Sequence, residues 1–260
     1  MKFKTFLEAK AEDSPKQVFE PIDHIHEFLK RHCSDSLWMI EQDKPFYRGF
    51  GKLQWDHPPA FVNLARTARK SQNTNNFYTE IFDNHPEMQD FPKRSKSIIC
   101  STSKGYASAF GSVFAVIPVN GSKIGLVGEQ DMWDLRTTLF GKSLSLIDAN
   151  YFLKNLLDYD EEDESCFNAL VKFDEALKNK NGEIIERLRF AEKYKRVISS
   201  DFLKELFDAY SPRKTGLLAK TTATLESSKI IQGEVWFDKG AVIINIDDWQ
   251  DLQKHVKDYY

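Results

Sequence analysis

Three cysteines in 260 residues, Cys33, Cys100 and Cys166, are odd in number and far apart, which excludes a disulfide framework or a cysteine zinc site. A reducing cytosol suits such a chain. No apolar run approaches the roughly 18 residues needed to cross a bilayer, so no integral membrane protein is expected. The opening stretch reaches Glu8 before any apolar segment forms, and no secretory signal is read there. Charge of neither sign dominates: 36 Lys and Arg against 39 Asp and Glu leave a net charge of −3. A dedicated duplex-DNA binder would be basic, so any nucleic-acid contact should be local or transient.

Most motifs that would name a chemistry are also missing. There is no phosphate loop of the Gly-x-x-x-x-Gly-Lys-Ser/Thr kind, and Gly49 and Gly51 lack the third glycine and the βαβ context of a dinucleotide fold. His24 and His26, two apart, would face opposite sides of a helix, so no metal site is expected. No Gly-x-Ser-x-Gly elbow supports a hydrolase triad. The acidic run 158–164 lacks the glycine and spacing of a calcium loop and reads as solvated.

What is present is a globular composition, 41% apolar and 29% charged, with twenty Phe, nine Tyr and five Trp, most of them expected in a core. Ser14-Pro15 is read as opening a helix that carries Val18, Phe19, Ile22, Ile25, Phe28 and Leu29, with Pro21 starting a second helix. Residues 44–51 change to strand and turn, and 60–83 are read as helix interrupted at 71–76. From 97 to 127 the pattern is strand, short helix at 105–110, strand at 111–118, a turn at 119–121 and a third extended piece. Residues 145–210 follow helical spacing in three groups, the last around Ile184–Tyr194. Strands at 228–237 and 241–246 are read as a hairpin through Asp238-Lys239-Gly240. The expected class is α+β, one domain over 1–260 with a helical N-terminal segment at 1–44 and a helical insertion at 145–215.

Three short segments stand out at strands: Tyr47-Arg48-Gly49, Ser101-Thr102-Ser103 and Gln232-Gly233-Glu234. Singly each is ordinary, a surface arginine, a local strand hydrogen bond, an exposed carboxylate. Together, in this order, they resemble the arginine–serine–glutamate signature of mono-ADP-ribosyltransferases. The flanks 101–111 and 230–244 are similar as well, and the resemblance covers roughly 45–130 and 222–248. It implies a split β-sandwich that binds NAD in a cleft, breaks the nicotinamide–ribose bond and transfers ADP-ribose to a nitrogen of an intracellular macromolecule.

The resemblance also implies roles. Glu234 would hydrogen-bond the ribose 2′-hydroxyl and stabilise the oxocarbenium-like transition state. Gln232, on the same strand face, would meet the acceptor, and its glutamine speaks for an amide or a nucleobase over arginine. Ser101 would orient Glu234, and Arg48 would hold the NAD diphosphate or ribose hydroxyls. Tyr47, Gly49, Thr102, Ser103 and Tyr106 complete the expected NAD-binding set, with Tyr47, Tyr106 and Phe114 as candidates to press on nicotinamide and core packing favoured for Phe114. Arg66 and Arg69 are candidates for the adenine-side phosphate, and Lys93–Lys96 for a polyanionic acceptor. A nucleobase of RNA or DNA is favoured over a protein amide. A cytoplasmic toxin with a neutralising antitoxin, a phage-defence effector or a phage-encoded modifier all follow from such an activity. An NAD glycohydrolase and a non-catalytic interaction protein are the alternatives.

Overall fold

Runs such as Ser112–Pro118 and Gly240–Asn245, rich in Val and Ile, favour a pleated backbone buried on both faces. In the computed structural model, which describes residues 16–19, 23–50, 59–63, 76–157, 165–182, 201–225 and 232–258, such runs build a large antiparallel sheet. The chain is mixed α and β and divides into two compact units. The first is drawn from Met1–Lys70, Asp90–Asp131 and Leu218–Tyr260, the second from Ser71–Gln89 and Met132–Leu217. Among the described residues no helix is long and apolar enough to cross a membrane.

The first unit holds strands β1 (Lys16–Val18), β2 (Phe46–Phe50), β3 (Ala60–Asn63), β4 (Ile98–Ser101), β5 (Ser112–Pro118), β6 (Lys123–Leu126), β9 (Leu218–Thr221), β10 (Glu234–Phe237) and β11 (Gly240–Asn245). Its helices are α1 (Asp23–His32), α2 (Trp38–Glu41), α4 (Lys104–Ser108) and α9 (Ile246–Asp258). The strand order is β1-β3-β11-β5-β2-β4-β10-β6-β9. Every described pair within it is antiparallel.

Two features show that this sheet is two stacked halves. Among the described residues a single register pair, Tyr47↔Ser101, joins the five strands ending in β2 to the four beginning with β4. Strands β10 and β11 are joined by only Asp238 and Lys239, yet they lie four positions apart in the order. In a flat sheet that separation would be about 19 Å, whereas three Cα steps reach about 11 Å at most. The link therefore crosses between halves whose inner faces oppose each other. Phe46, Phe50, Val62, Phe114, Val116 and Ile243 of one half share a buried cluster with Ile98, Ile124, Leu126, Val235 and Phe237 of the other. Asp238 clamps the crossing, its Oδ1 accepting from Lys123 N at 2.8 Å.

The 238–240 segment is thus no hairpin, since β10 pairs with β4 and β6, and β11 with β3 and β5. Two further expectations are corrected. Lys16–Val18 and Ala60–Asn63, read as helical from their apolar spacing, are strands that pair with each other. In β3 Ala60 and Val62 are buried while Phe61 and Asn63 are half-buried, a period of two. The segments around Ile184–Tyr194, the acidic run 158–164, and Arg66 and Arg69 lie outside the described residues.

The outer face of the five-strand half is sealed by helices. Ile25 and Leu29 of α1, and Trp249, Leu252 and Val256 of α9, recur at spacings of three and four. They pack on Ala115, Ile117, Val242 and Ile244. Asn245 Oδ1 accepts from Asp247 N at 3.1 Å as α9 begins, and Asp247 and Asp248 suit its positive end.

The second unit contains α3 (Phe77–Asn84), the hairpin β7 (Arg136–Leu139) with β8 (Lys142–Ser145), α5 (Leu146–Leu157), α6 (Cys166–Lys178), α7 (Phe202–Ala209) and α8 (Pro212–Thr215). The helical block expected at 145–215 therefore belongs to a unit that also takes in 71–89 and 132–144. Phe140 and Gly141, at φ 50° and 71°, make the β7–β8 turn that the sequence reading left unassigned. Ring contacts of Phe140 with Phe152 and Phe202, and of Phe82 with Tyr210, fill its core.

Candidate active site

The three signature segments meet where the half-sheets join. Tyr47 of β2 stands opposite Ser101 of β4, and Ser101 stands opposite Glu234 of β10. Residues directly opposite across antiparallel strands point to one face, so Tyr47, Ser101 and Glu234 share the outer face. Pairing runs past the strand ends: Thr102 N donates to Gly233 O at 2.9 Å, and Gly233 N donates to Thr102 Oγ1 at 2.8 Å.

The two glycines in the motifs have steric reasons. A Cβ on Gly233 would fall 2.1 Å from Val127 O and 2.5 Å from Glu129 O. The chain at 127–129 presses on it, Glu234 N donating to Glu129 O and Val127 N to Glu234 O. A Cβ on Gly49 would fall 2.1 Å from Ala107 O, so this glycine lets α4 lie against β2. Helix α4 starts where Ser103 Oγ accepts from Tyr106 N at 3.2 Å. Thus Ser103 is a helix cap, and Thr102 binds the Gly233 peptide through its hydroxyl. Tyr106 donates to Asp131 Oδ2 at 2.9 Å and meets the exposed Phe110 ring edge-on at 5.5 Å.

Gln232 departs from its expected position. Strand β10 begins at Glu234, so Gln232 lies in the bend before it, and the period-two argument for one shared face does not reach it. Its side chain is exposed while Glu234 is buried.

Arg48, expected to hold the NAD diphosphate or ribose hydroxyls, does not share the face of Glu234. Arg48 follows Tyr47 in β2 and so projects to the inner face. Its Nη1 donates to Ile99 O at 2.5 Å, and its guanidinium lies 5.1 Å from the Phe50 ring centroid. Glu234 is paired with Arg94, whose Nη1 donates to Oε1 at 2.5 Å; the two side chains are 3% and 7% exposed. Lys93–Lys96 is therefore no continuous surface patch: Lys93 and Lys96 are exposed, but Arg94 between them is buried. Ser101 Oγ accepts from Ser103 N at 3.0 Å.

Trp236, fully buried two residues after Glu234 on the same face, builds the floor beneath Arg94. The guanidinium lies 5.4 Å from the ring centroid, Phe91 stacks on the indole at 6.2 Å, and Nε1 donates to Pro92 O at 3.1 Å. Gly125 on β6 makes room for the ring, since a Cβ there would come within 2.2 Å of it. Sequence reasoning passed over Trp236 and saw Arg94 only as part of a basic run. The alternation Glu234-x-Trp236 was the available signal.

Tyr47 is half-buried, and burial, with Asp43 adding to it, raises its phenol above the ordinary value. Phe114 lies in the core. All three cysteines are free and buried, and among the described residues no cluster of His, Cys, Asp and Glu is suited to a metal ion. Comparison of the chain with protein-family models, curated proteins and solved structures finds no match.

Proposed function

We propose that the chain is an NAD-dependent mono-ADP-ribosyltransferase with a split β-sandwich, Glu234 being the catalytic carboxylate. The observation that carries the reading is the register Tyr47↔Ser101↔Glu234, which gathers three distant segments where the two half-sheets join. In the reaction the C1′–N bond between ribose and nicotinamide in NAD breaks and its electron pair leaves on neutral nicotinamide. The ribose becomes oxocarbenium-like, and a carboxylate on its 2′-hydroxyl stabilises that charge. The acceptor nitrogen then gives its lone pair to C1′ and releases a proton to solvent.

In this reading Tyr47, Ser101 and Tyr106 stay in the NAD-binding set, Gly49, Thr102 and Ser103 shape the backbone around it, Arg48 leaves the set because it lies on the inner face, and Gln232 belongs to the acceptor side. An exposed amide just before a buried carboxylate supports that division. A nucleobase remains the favoured acceptor on account of Gln232, although the burial of Arg94 removes part of the basic run that pointed the same way.

The test is incubation of the purified protein with labelled NAD and cell extract, followed by mass spectrometry of RNA, DNA and protein. Wild type is expected to release nicotinamide and add ADP-ribose to one macromolecular class, and Glu234→Gln to lose about 10²–10³ in rate. Free ADP-ribose with no labelled macromolecule would make the chain a glycohydrolase. Failure of wild type to consume NAD would sink the reading.

A further inference from the structure

Resting on that reading, the geometry points to Arg94 as the positioning residue of the catalytic carboxylate, a part the resemblance assigned to Ser101. The one hydrogen bond shown for the Ser101 hydroxyl is accepted from the Ser103 N–H, whereas Arg94 donates to Glu234 Oε1 directly. The planar, forked guanidinium of Arg94 rests on the Trp236 ring, so the charged hydrogen bond it gives holds Glu234 Oε1 in place more firmly than a rotatable hydroxyl would.

Arg94 is itself held from several sides. It opens the 3-10 turn Arg94–Lys96, which the flanking residues close as Ser97 Oγ donates to Lys93 O at 2.7 Å. Trp236 receives its guanidinium, and Phe91 and Pro92 of the same segment grip that indole from the ring face and the Nε1 edge. Glu234 and Trp236, two apart on one strand face, thus present a carboxylate and a ring to one cation. A buried ion pair adds little stability over an apolar pair of similar size, so positioning is the better account of its presence. The exposed Lys93 and Lys96 on either side lack this framework.

Steady-state cleavage of NAD by wild type, Glu234→Gln, Arg94→Ala and Arg94→Lys tests the inference. Arg94→Ala is expected to lower kcat about a hundredfold with KM for NAD within about twofold, the pattern of a contact that matters at the transition state. Added guanidinium ion should restore activity to Arg94→Ala and not to Glu234→Gln. Arg94→Lys, which keeps the charge without the fork, should fall between at unchanged KM, and it decides alone should the alanine variant not fold. Wild-type kcat in both Arg94 variants, or a raised KM with kcat kept, overturns the assignment while leaving the enzyme reading intact. An inactive wild type removes both.

Discussion

The two half-sheets are built from the same alternation of side chains, yet their outer faces have opposite chemistry. On the five-strand half, Ala115, Ile117, Val242 and Ile244 meet the apolar stripes of α1 and α9. On the four-strand half, the corresponding face carries Ser101, Glu234 and Trp236 beneath Arg94. Burying charge costs desolvation that its pairing only partly repays, whereas burying methyl groups stabilises at about 25 cal/mol per Å². The first surface therefore holds the fold together, and the second is retained at some cost to it. That asymmetry singles out the four-strand face as the candidate site without any motif.

The contrast is strongest at Trp249, which is buried in the helical seal and donates through Nε1 to Asp43 Oδ1 at 2.8 Å. Trp249→Ala should lower unfolding free energy by about 3–5 kcal/mol, measured by urea denaturation, with activity per folded molecule unchanged. Loss of activity in molecules that remain folded would mean that the two faces are not separate in role.

On the opposite face, Arg94→Met alone should cost about 3–5 kcal/mol because it strands the Glu234 charge in the interior. The double variant Arg94→Met with Glu234→Met should regain most of that loss, since well-packed apolar side chains replace an ion pair at little or no cost. A double variant as unstable as the single one would make this pair a stability element like the helical seal.

Parts of this layout were legible in the sequence, and the failures have physical causes. The strands at 98–126 and the helix between them were readable because β-branched runs alternate there with Gly and Ser signals that local chemistry fixes. In Ala60-Phe-Val-Asn63 the apolar residues fit helix and strand alike, and pairing with β1 and β11, remote in sequence, decides between them. Asp238-Lys239-Gly240 carries the turn residues of a hairpin, and Lys239 does adopt φ 63°, but the same turn serves a crossing between stacked halves. The candidate carboxylate was legible because three short motifs, each ordinary alone, stand in one order along the chain. Its partner was not, because nothing in Lys93-Arg94-Ser95-Lys96 marks the one cation that a 3-10 turn directs inward.

The smallest effect expected is a response to alkali at Cys33, within the helical seal. Burial first, and Asp35 second, push this thiol from an ordinary 9.0 up to about 12. Below pH 9 the thiol is protonated in both the folded and the unfolded chain, and the stability it contributes is fully present. Above pH 9 the unfolded chain ionises while the folded chain holds its proton, so stability falls as pH rises and the loss is complete near pH 12. One pH unit into that window the loss should be about 1 kcal/mol. Urea denaturation of wild type and Cys33→Ala at pH 8 and pH 10 isolates it. The variant starts less stable at both values, but its drop between them should be smaller than the wild-type drop by about that amount. Tyr210, whose phenol burial also pushes up, lies in the second unit and acts equally in both proteins, so it cancels. Equal drops would show that the thiol meets water in the folded chain and that the seal over the five-strand half is open at Cys33.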